Sequence, residues 1–318
     1  MTTFGDQVFQ YGGLPVGTGG IPPGGNHYWM NPASGSDDAV GTYDSPVASF
    51  EAGYALLTAN QHDTLHYIAG SSGDNLEAAV TWSKNYTHFV GHAAATALAT
   101  RTRLFQLSTL TGASPLLTIS ASGCIFSNFY IFQGVNDATS LINVSVTGGR
   151  NHFYRVHFAG GGHATQAIDG GASLKLDTDS CEENLFEQCT IGVDTIDAAT
   201  GMVGLLMDGG AHRNVFRDPI FRMRAGNTGA AFAEVADSTG IDRDTTFINP
   251  VFLNNSTAND MASAFLIPAM GEPRSILLVN PIAHNVTKWD ANDRGVLFGN
   301  ENAITGADLS GVAVELVT

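Results

Sequence analysis

The chain repeats one short hydrophobic pattern along most of its length. A bulky apolar residue is followed by two mostly polar residues and then by an apolar-x-apolar triplet. The apolar runs are too short for helices and alternate with period two, so they predict strands. The pattern starts at seven residues, 27 to 33 positions apart: Phe126, Phe153, Phe186, Phe216, Phe247, Leu278 and Leu309.

A second apolar register precedes the first and shares its period of about 31 residues. Its members, 25 to 33 positions apart, are Leu117, Ile142, Leu174, Leu205, Phe232, Phe265 and Leu297. Two registers with one period predict an all-β solenoid, a parallel β-helix whose coils stack and bury a continuous interior. The expected interior stack is Phe126, Phe153, Phe186, Phe216, Phe247 and Leu278. A β-sandwich or jelly roll with coincidental spacing is the main alternative, and a propeller fits the loop content less well.

One turn of the predicted coil recurs at a fixed place in the pattern. Asn128, Asn249 and Asn280 occupy it in three coils, where their amides can form a ladder between coils. Other polar residues fill the remaining coils: Arg155, Gln188 and Asp218. Proline follows at 219, 250 and 281, which favours a fixed corner of a solenoid over unrelated edge strands.

The segment 28–60 has the features of a cap on the first coil. It reads as a strand, an acidic loop and a short amphipathic helix with Ser49 as N-cap. A solenoid needs such a cap because its first coil would otherwise expose an apolar cross-section. The predicted cap residues are Trp29, Phe50, Tyr54 and Leu57, and the β-helix itself is predicted to span 61–318.

Residues 1–27 are rich in glycine and proline and are predicted to form an extended arm. A solvated tail is the alternative. The arm is more apolar than a linker requires, so we expect it to dock on another protein. The residues expected to dock are Phe4, Val8, Phe9, Tyr11, Leu14 and Val16.

Composition excludes several kinds of partner. The net charge is −16 and the few basic residues are scattered, so nucleic acid is not an expected partner. The sequence contains no apolar run of 18 residues and no evident signal peptide, and we expect no membrane insertion. The three cysteines lack the spacing of metal ligands and are expected to be buried thiols.

Candidate catalytic chemistry is confined to one pair of acids. Asp177 and Asp208 are 31 residues apart, so they stack on successive coils at a strand end, roughly 5 Å apart. That spacing suits a retaining glycosidase pair. Acids are also ordinary turn formers, especially in the Asp-Gly-Gly that starts at residue 208. His88 and His92 give no convincing metal site, and we expect neither a metal nor a cofactor.

The N-terminal segment resembles a known class of proteins. The run Trp29-Met-Asn-Pro-Ala-Ser-Gly-Ser-Asp-Asp, then Ser45-Pro, Ala48-Ser-Phe-Glu-Ala-Gly-Tyr-Ala-Leu and Asp63-Thr-Leu-His-Tyr-Ile-Ala-Gly carries the likeness. It is similar to the start of right-handed parallel β-helix proteins of the pectin-lyase-like class, above all bacteriophage tailspikes and other phage surface proteins. Asn31 replaces that family's usual aspartate, and Ser49-Phe50 replaces Thr-Leu.

The resemblance implies a bacteriophage virion protein located on the particle surface and made in the host cytoplasm. We expect a structural, non-enzymatic spike or capsid decoration, attached by its N-terminal arm to other virion proteins of capsid or tail, with the head favoured. The resemblance also implies a homotrimer, with a host surface glycan as a candidate ligand. The alternative function is a tailspike depolymerase, a hydrolase or lyase that cleaves bacterial surface polysaccharide.

Overall fold

The chain forms the parallel β-helix that its repeat predicts. A computed structural model describes residues 25–270 and 274–290 and the backbone of residues 296–298. Successive coils contribute strands to three sheets of ten, eight and seven strands, named sheets 1, 2 and 3. Every strand pair within these sheets is parallel, which excludes an antiparallel sandwich.

The described strands have the following bounds. Sheet 1 contains β1 (His27–Met30), β2 (Thr64–Ile68), β5 (His88–His92), β8 (Ile125–Ser127), β11 (His152–Tyr154), β14 (Leu185–Glu187), β18 (Asn214–Arg217), β21 (Asp244–Ile248), β24 (Ser275–Val279) and β26 (Val296–Phe298). Sheet 2 contains β3 (Asp74–Leu76), β6 (Arg103–Gln106), β9 (Tyr130–Phe132), β12 (His157–Ala159), β15 (Thr190–Ile191), β19 (Ile220–Met223), β22 (Val251–Asn254) and β25 (Ile282–His284). Sheet 3 contains β4 (Val80–Trp82), β7 (Leu117–Ile119), β10 (Ile142–Val146), β13 (Ala172–Leu176), β16 (Val203–Met207), β20 (Ala231–Val235) and β23 (Phe265–Leu266), and β17 (Gly210–Ala211) lies outside the three sheets.

Aromatic rings from sheet 1 stack through the interior, where the first register predicts them. Phe186 lies 4.6 Å from Phe153 and 4.5 Å from Phe216 between ring centroids, with the planes within 9° of parallel. The stack continues to Phe126 at 5.1 Å and to Phe247 at 4.8 Å. All five rings are at most 1 % exposed, as is Leu278, so each coil buries one large side chain against the next.

The sequence predicts the positions of the second register only in part. Leu117, Leu174, Leu205 and Phe265 occupy one interior column of sheet 3, but Val144 and Ala233 take the positions predicted for Ile142 and Phe232. The remaining member, Leu297, pairs with Leu277 in sheet 1. Leu309 lies outside the described residues.

The turn between sheets 1 and 2 is two residues long in six successive coils. Its first residue has a positive φ of 50–56° in every coil, at Asn128, Arg155, Gln188, Asp218, Asn249 and Asn280. Side chains at this position bond along the stack, as when the Asn249 amide donates to Asp218 at 2.9 Å. The Asn280 amide likewise donates to Asn249 at 3.2 Å. Asparagine suits the turn because it tolerates left-handed backbone better than most side chains do.

A second asparagine ladder lies in the interior, at the turn from sheet 3 to sheet 1. Asn151, Asn184 and Asn214 are at most 2 % exposed. The Asn184 carboxamide oxygen accepts from the Asn151 backbone N–H at 2.9 Å, and its NH₂ group donates to the Gly148 carbonyl at 3.1 Å. Because these amides satisfy buried backbone groups, they help to hold the coils in register at this turn.

A helix, α1 (Phe50–Leu56), lies beside the first coil. The Ser49 hydroxyl caps its first turn, and the Lys84 ammonium group donates to the carbonyls of Tyr54 and Leu57 at its end. Phe50 and Leu57 are buried, and the Tyr54 ring packs against Trp82.

Trp29 does not join the residues of the cap. It lies on the outer face of sheet 1, where its ring stacks on His66 at 4.3 Å, and the neighbouring Met30 takes the buried position. Strand alternation accounts for the difference, since adjacent residues point to opposite faces. The predicted docking residues Phe4, Val8, Phe9, Tyr11, Leu14 and Val16 lie outside the described residues. No described helix is long and apolar enough to cross a membrane.

Candidate functional site

The candidate site lies on the outer face of sheet 3. Strand pairing aligns Ser145, Lys175, Leu206, Glu234 and Leu266 in one column across five coils. Their chain neighbours on either side point into the interior, so this column faces outward. The two predicted catalytic candidates, Asp177 and Asp208, directly follow strands β13 and β16 at this face.

In the structure Asp177 and Asp208 both bind the ammonium group of Lys175. Leu176 pairs with Met207, which places the two aspartates at equivalent positions of adjacent coils. The Lys175 ammonium group lies 3.0 Å from a carboxylate oxygen of Asp177 and 2.9 Å from one of Asp208. Burial disfavours the charged lysine, but the bonds to the two carboxylates outweigh it and raise the pKa of Lys175. The two acids therefore share a lysine rather than a proton.

Glu234 is a third carboxyl group on this face, and sequence reasoning missed it. Burial, followed by the charge of Asp169, raises the pKa of Glu234 above its ordinary value. Its neighbours in the column are the apolar side chains of Leu206 and Leu266, and no ion pair joins it to another described residue. A single acid inside the apolar segment AAFAEV is the only sequence signal that could have indicated it.

Asp208 and Glu234 are near neighbours on this face. Met207 pairs with Val235, so Asp208 and Glu234 lie on adjacent strands, offset by two residues. The backbone positions of such diagonal neighbours are roughly 7–8 Å apart. Inverting glycosidases hold their two carboxyl groups roughly 6.5–9.5 Å apart to admit a water molecule. Glu234 has the raised pKa of a general acid, whereas Asp208 must leave Lys175 and the Gly209 N–H before it can act as a general base.

Three other acids, two at the turn from sheet 3 to sheet 1 and one on sheet 1, belong to ion pairs between coils. Glu182 accepts from Arg150 at 2.7 Å and from Arg213 at 2.5 Å, and Glu183 bonds to the same two arginines at 2.9 and 2.8 Å. Glu187 lies 3.1 Å from His152. These groups cross-link neighbouring coils and have no free carboxylate to offer a substrate.

A separate acidic cleft of about 420 Å³ lies beside α1. Asp37, Glu51, Asp74 and Glu77 line it. Burial raises the pKa of Asp74 to about 6, although its carboxylate accepts the Phe50 backbone N–H at 2.7 Å. Asp37 accepts two further amides before the helix, so both aspartates have a structural role at its start.

Metal ligands are not grouped in the part of the chain that the structure describes. No set of three or more histidine, cysteine or acidic side chains there could hold an ion. His88 and His92 lie on strand β5 and contact different histidines, His62 and His66.

Comparison with known proteins identifies the fold. No protein-family model matches the sequence, and no curated protein matches it. A rhamnogalacturonan lyase structure matches with a TM-score of 0.59 and 16 % identity, over 86 % of this chain and 73 % of that one. The pectin methylesterase of Erwinia chrysanthemi gives 0.57 and 15 %, over 88 % and 91 %. A pectate lyase gives 0.56 and 12 %, over 94 % and 83 %. The chain therefore has the pectin-lyase-like parallel β-helix fold.

Proposed function

We propose that the chain is a structural protein of a bacteriophage particle, a β-helical spike or head decoration attached through residues 1–27. The main support for this proposal is that charged side chains on the β-helix bind one another between coils. Five acids on or beside sheets 1 and 3 bind basic side chains, most of them from a neighbouring coil: Asp177, Asp208, Glu182, Glu183 and Glu187. Charged side chains that join neighbouring coils suit a rigid structural rod. The resemblance of residues 29–70 to phage surface proteins indicates that the rod belongs to a phage particle.

Electron microscopy tests the location. A gold-labelled nanobody raised against the β-helix is added to purified particles of the virus whose genome encodes the chain. We expect labelling of the head surface, at positions related by threefold symmetry if the protein is the homotrimer that the resemblance implies. Full-length protein is expected to rebind to particles stripped of it, whereas protein lacking residues 1–24 is not. Unlabelled intact particles would refute the proposal, and equal rebinding of both proteins would refute the role of the arm.

A depolymerase is the second candidate, and the carboxyl groups of Glu234 and Asp208 favour it. They lie on adjacent strands of one face, and the raised pKa of Glu234 suits the acid of an inverting hydrolase. In this mechanism Glu234 protonates the glycosidic oxygen while Asp208 removes a proton from the attacking water. Structures named as pectic lyases and an esterase share the fold, which makes a sugar chain a reasonable substrate for the long outer face.

The enzyme hypothesis is tested with purified capsular polysaccharide or O-antigen from host bacteria. Hydrolysis yields new reducing ends without absorbance at 235 nm, whereas elimination yields both, and NMR of the first product reports the anomeric outcome. Glu234→Gln and Asp208→Asn are each expected to remove the activity. Glu183→Gln is the matched control, because it alters an acid outside the site. No new reducing ends, or activity that survives both substitutions, would contradict this assignment.

A further inference from the structure

Half of the histidines in the chain gather at its N-terminal end. Of ten histidines, five lie on or beside the first three strands of sheet 1: His27, His62, His66, His88 and His92. We name these five the histidine array. It has no part in the site on sheet 3, and strand β1, which carries His27, is the strand that joins residues 1–24 to the β-helix.

Three imidazoles of the array form a chain. His27 Nδ1 lies 2.8 Å from His66 Nε2, and His66 Nδ1 lies 2.8 Å from His92 Nε2. Each of these nitrogen–nitrogen contacts is a hydrogen bond only when it contains one proton. His66 is 8 % exposed, and Trp29 covers its ring at 4.3 Å between centroids.

The other two imidazoles form a pair with fixed protons. His88 Nδ1 accepts the Ile125 backbone N–H at 3.1 Å, so the proton of His88 is on Nε2. That proton points to His62 Nδ1 at 3.3 Å. A second proton on His88 would break the bond to Ile125, and a proton on His62 Nδ1 would break the bond between the rings.

The array therefore has room for few protons. The chain of three can take up one extra proton, at a terminal nitrogen, before an N···N contact must hold two. The pair can take up none without losing a bond. Five free imidazoles would bind five. Burial lowers the pKa of His66 to about 3 and that of His88 to about 4, and it also lowers the pKa values of His27 and His92.

Neighbouring side chains do not stabilise a positive charge on the histidine array. Asp63 favours protonated His27, but burial outweighs it, and both Asp63 oxygens already accept backbone N–H groups, at 2.6 and 2.7 Å. The other titratable groups beside the array and Asp63 are Lys84, Tyr43 and Tyr86.

We propose that the histidine array is an acid-sensitive fastening that holds strand β1, and with it the N-terminal segment, to the first coil. Free imidazoles bind protons below about pH 6.5, whereas burial lowers the pKa of His66 to about 3 and that of His88 to about 4. The histidine array therefore holds β1 fully above pH 6.5, and its hold on β1 weakens progressively as the pH falls below 6.5. Release of β1 allows one or two more protons to bind, so its equilibrium constant rises about tenfold to a hundredfold per pH unit.

Fluorine NMR of the full chain labelled with 5-fluorotryptophan tests the proposal. Trp29 reports on the array, and Trp82, which is fully buried, reports on the core. Between pH 8 and pH 4 we expect the Trp29 resonance to move to the position of a solvent-exposed ring while the Trp82 resonance stays in place. A Trp29→Phe variant assigns the signal.

Substitutions separate the array from general acid sensitivity. His66→Phe keeps an aromatic ring beneath Trp29 and removes the central imidazole of the chain of three, so the movement of its Trp29 resonance with pH should be much smaller. His27→Gln serves if that variant misfolds, and it should reduce the steepness of the transition by about one proton. His284→Gln alters an exposed histidine far from the array and should behave as the unmodified chain. A Trp29 resonance that stays fixed to pH 4, moves together with Trp82, or titrates unchanged in both array variants would overturn the proposal.

Discussion

Replacing stacked phenylalanines by leucine tests whether ring stacking between coils stabilises the β-helix beyond simple burial. Phe186 is the best position, because its ring lies between Phe153 and Phe216 at 4.6 and 4.5 Å with nearly parallel planes. Leucine fills much of the same volume and stays apolar. The substitution therefore removes mainly the ring–ring interactions.

The expected loss follows from the geometry. An aromatic pair contributes about 0.5–1.5 kcal/mol beyond the area that it buries. Phe186→Leu removes two stacked pairs and the edge-on contact with Phe158 at 6.2 Å, and it should lower the free energy of unfolding by about 1.5–4.5 kcal/mol. Phe186→Leu and Phe216→Leu remove a shared pair, so the double variant should show a coupling of about 0.5–1.5 kcal/mol.

The matched control is the pair Phe153 and Phe216, which the whole Phe186 ring separates. Their substitutions should be additive within about 0.5 kcal/mol. Urea unfolding followed by far-UV circular dichroism gives both couplings, with the m value checked for constancy across the variants. If the adjacent pair couples no more strongly than the separated pair, the rings contribute only buried area and our reasoning is wrong.

Three further substitutions test the polar structure. Asp74→Asn keeps an acceptor for the helix amide and removes a buried charge. The folded-state pKa of Asp74, about 6, lies above the ordinary 3.8, so this variant should be more stable than the unmodified chain at pH 8, by up to about 3 kcal/mol. In urea titrations this advantage should shrink below pH 6 and disappear below pH 4. Asn184→Ala leaves two buried backbone groups without partners and should cost about 2–4 kcal/mol by the same assay, whereas a cost under 1 kcal/mol would mean that water replaces the amide. Lys175→Met leaves Asp177 and Asp208 facing each other and should lower the thermal midpoint more at low than at high ionic strength, because salt screens their repulsion. An equal loss at the two ionic strengths would point to packing instead.

The sequence predicts the fold well because one large side chain repeats at one place in each coil. Phe126 to Leu278 are recognisable as a column since every coil buries a bulky residue there, and a two-residue turn follows at a constant distance. The second register is less exact, as Ile142 and Phe232 show. Apolar residues occur on both sides of sheet 3 near its first corner, so alternation alone does not say which one faces inward.

Polar residues were harder to place because their roles depend on neighbours one coil away. Asn184 reads as an ordinary turn former, and only the fold reveals that its amide is buried and bound to two backbone groups. Asp177 and Asp208 were located from their spacing of 31 residues, but Lys175 as their shared partner emerges only with side-chain positions. Glu234 gives only a weak signal, a single acid in the apolar segment AAFAEV, because a buried acid and a surface acid look alike in one strand.

The two-residue turn between sheets 1 and 2 also divides the molecule into a constant part and a variable part. Its length and left-handed geometry are the same in six coils, so this edge fixes the path of the chain. The connections from sheet 2 to sheet 3 differ in length from coil to coil, as residues 160–171, 192–202 and 224–230 show. Foreign sequences inserted there should leave the stacking of coils intact, and the β-helix can then serve as a rod that presents unrelated loops in a row, one for each coil.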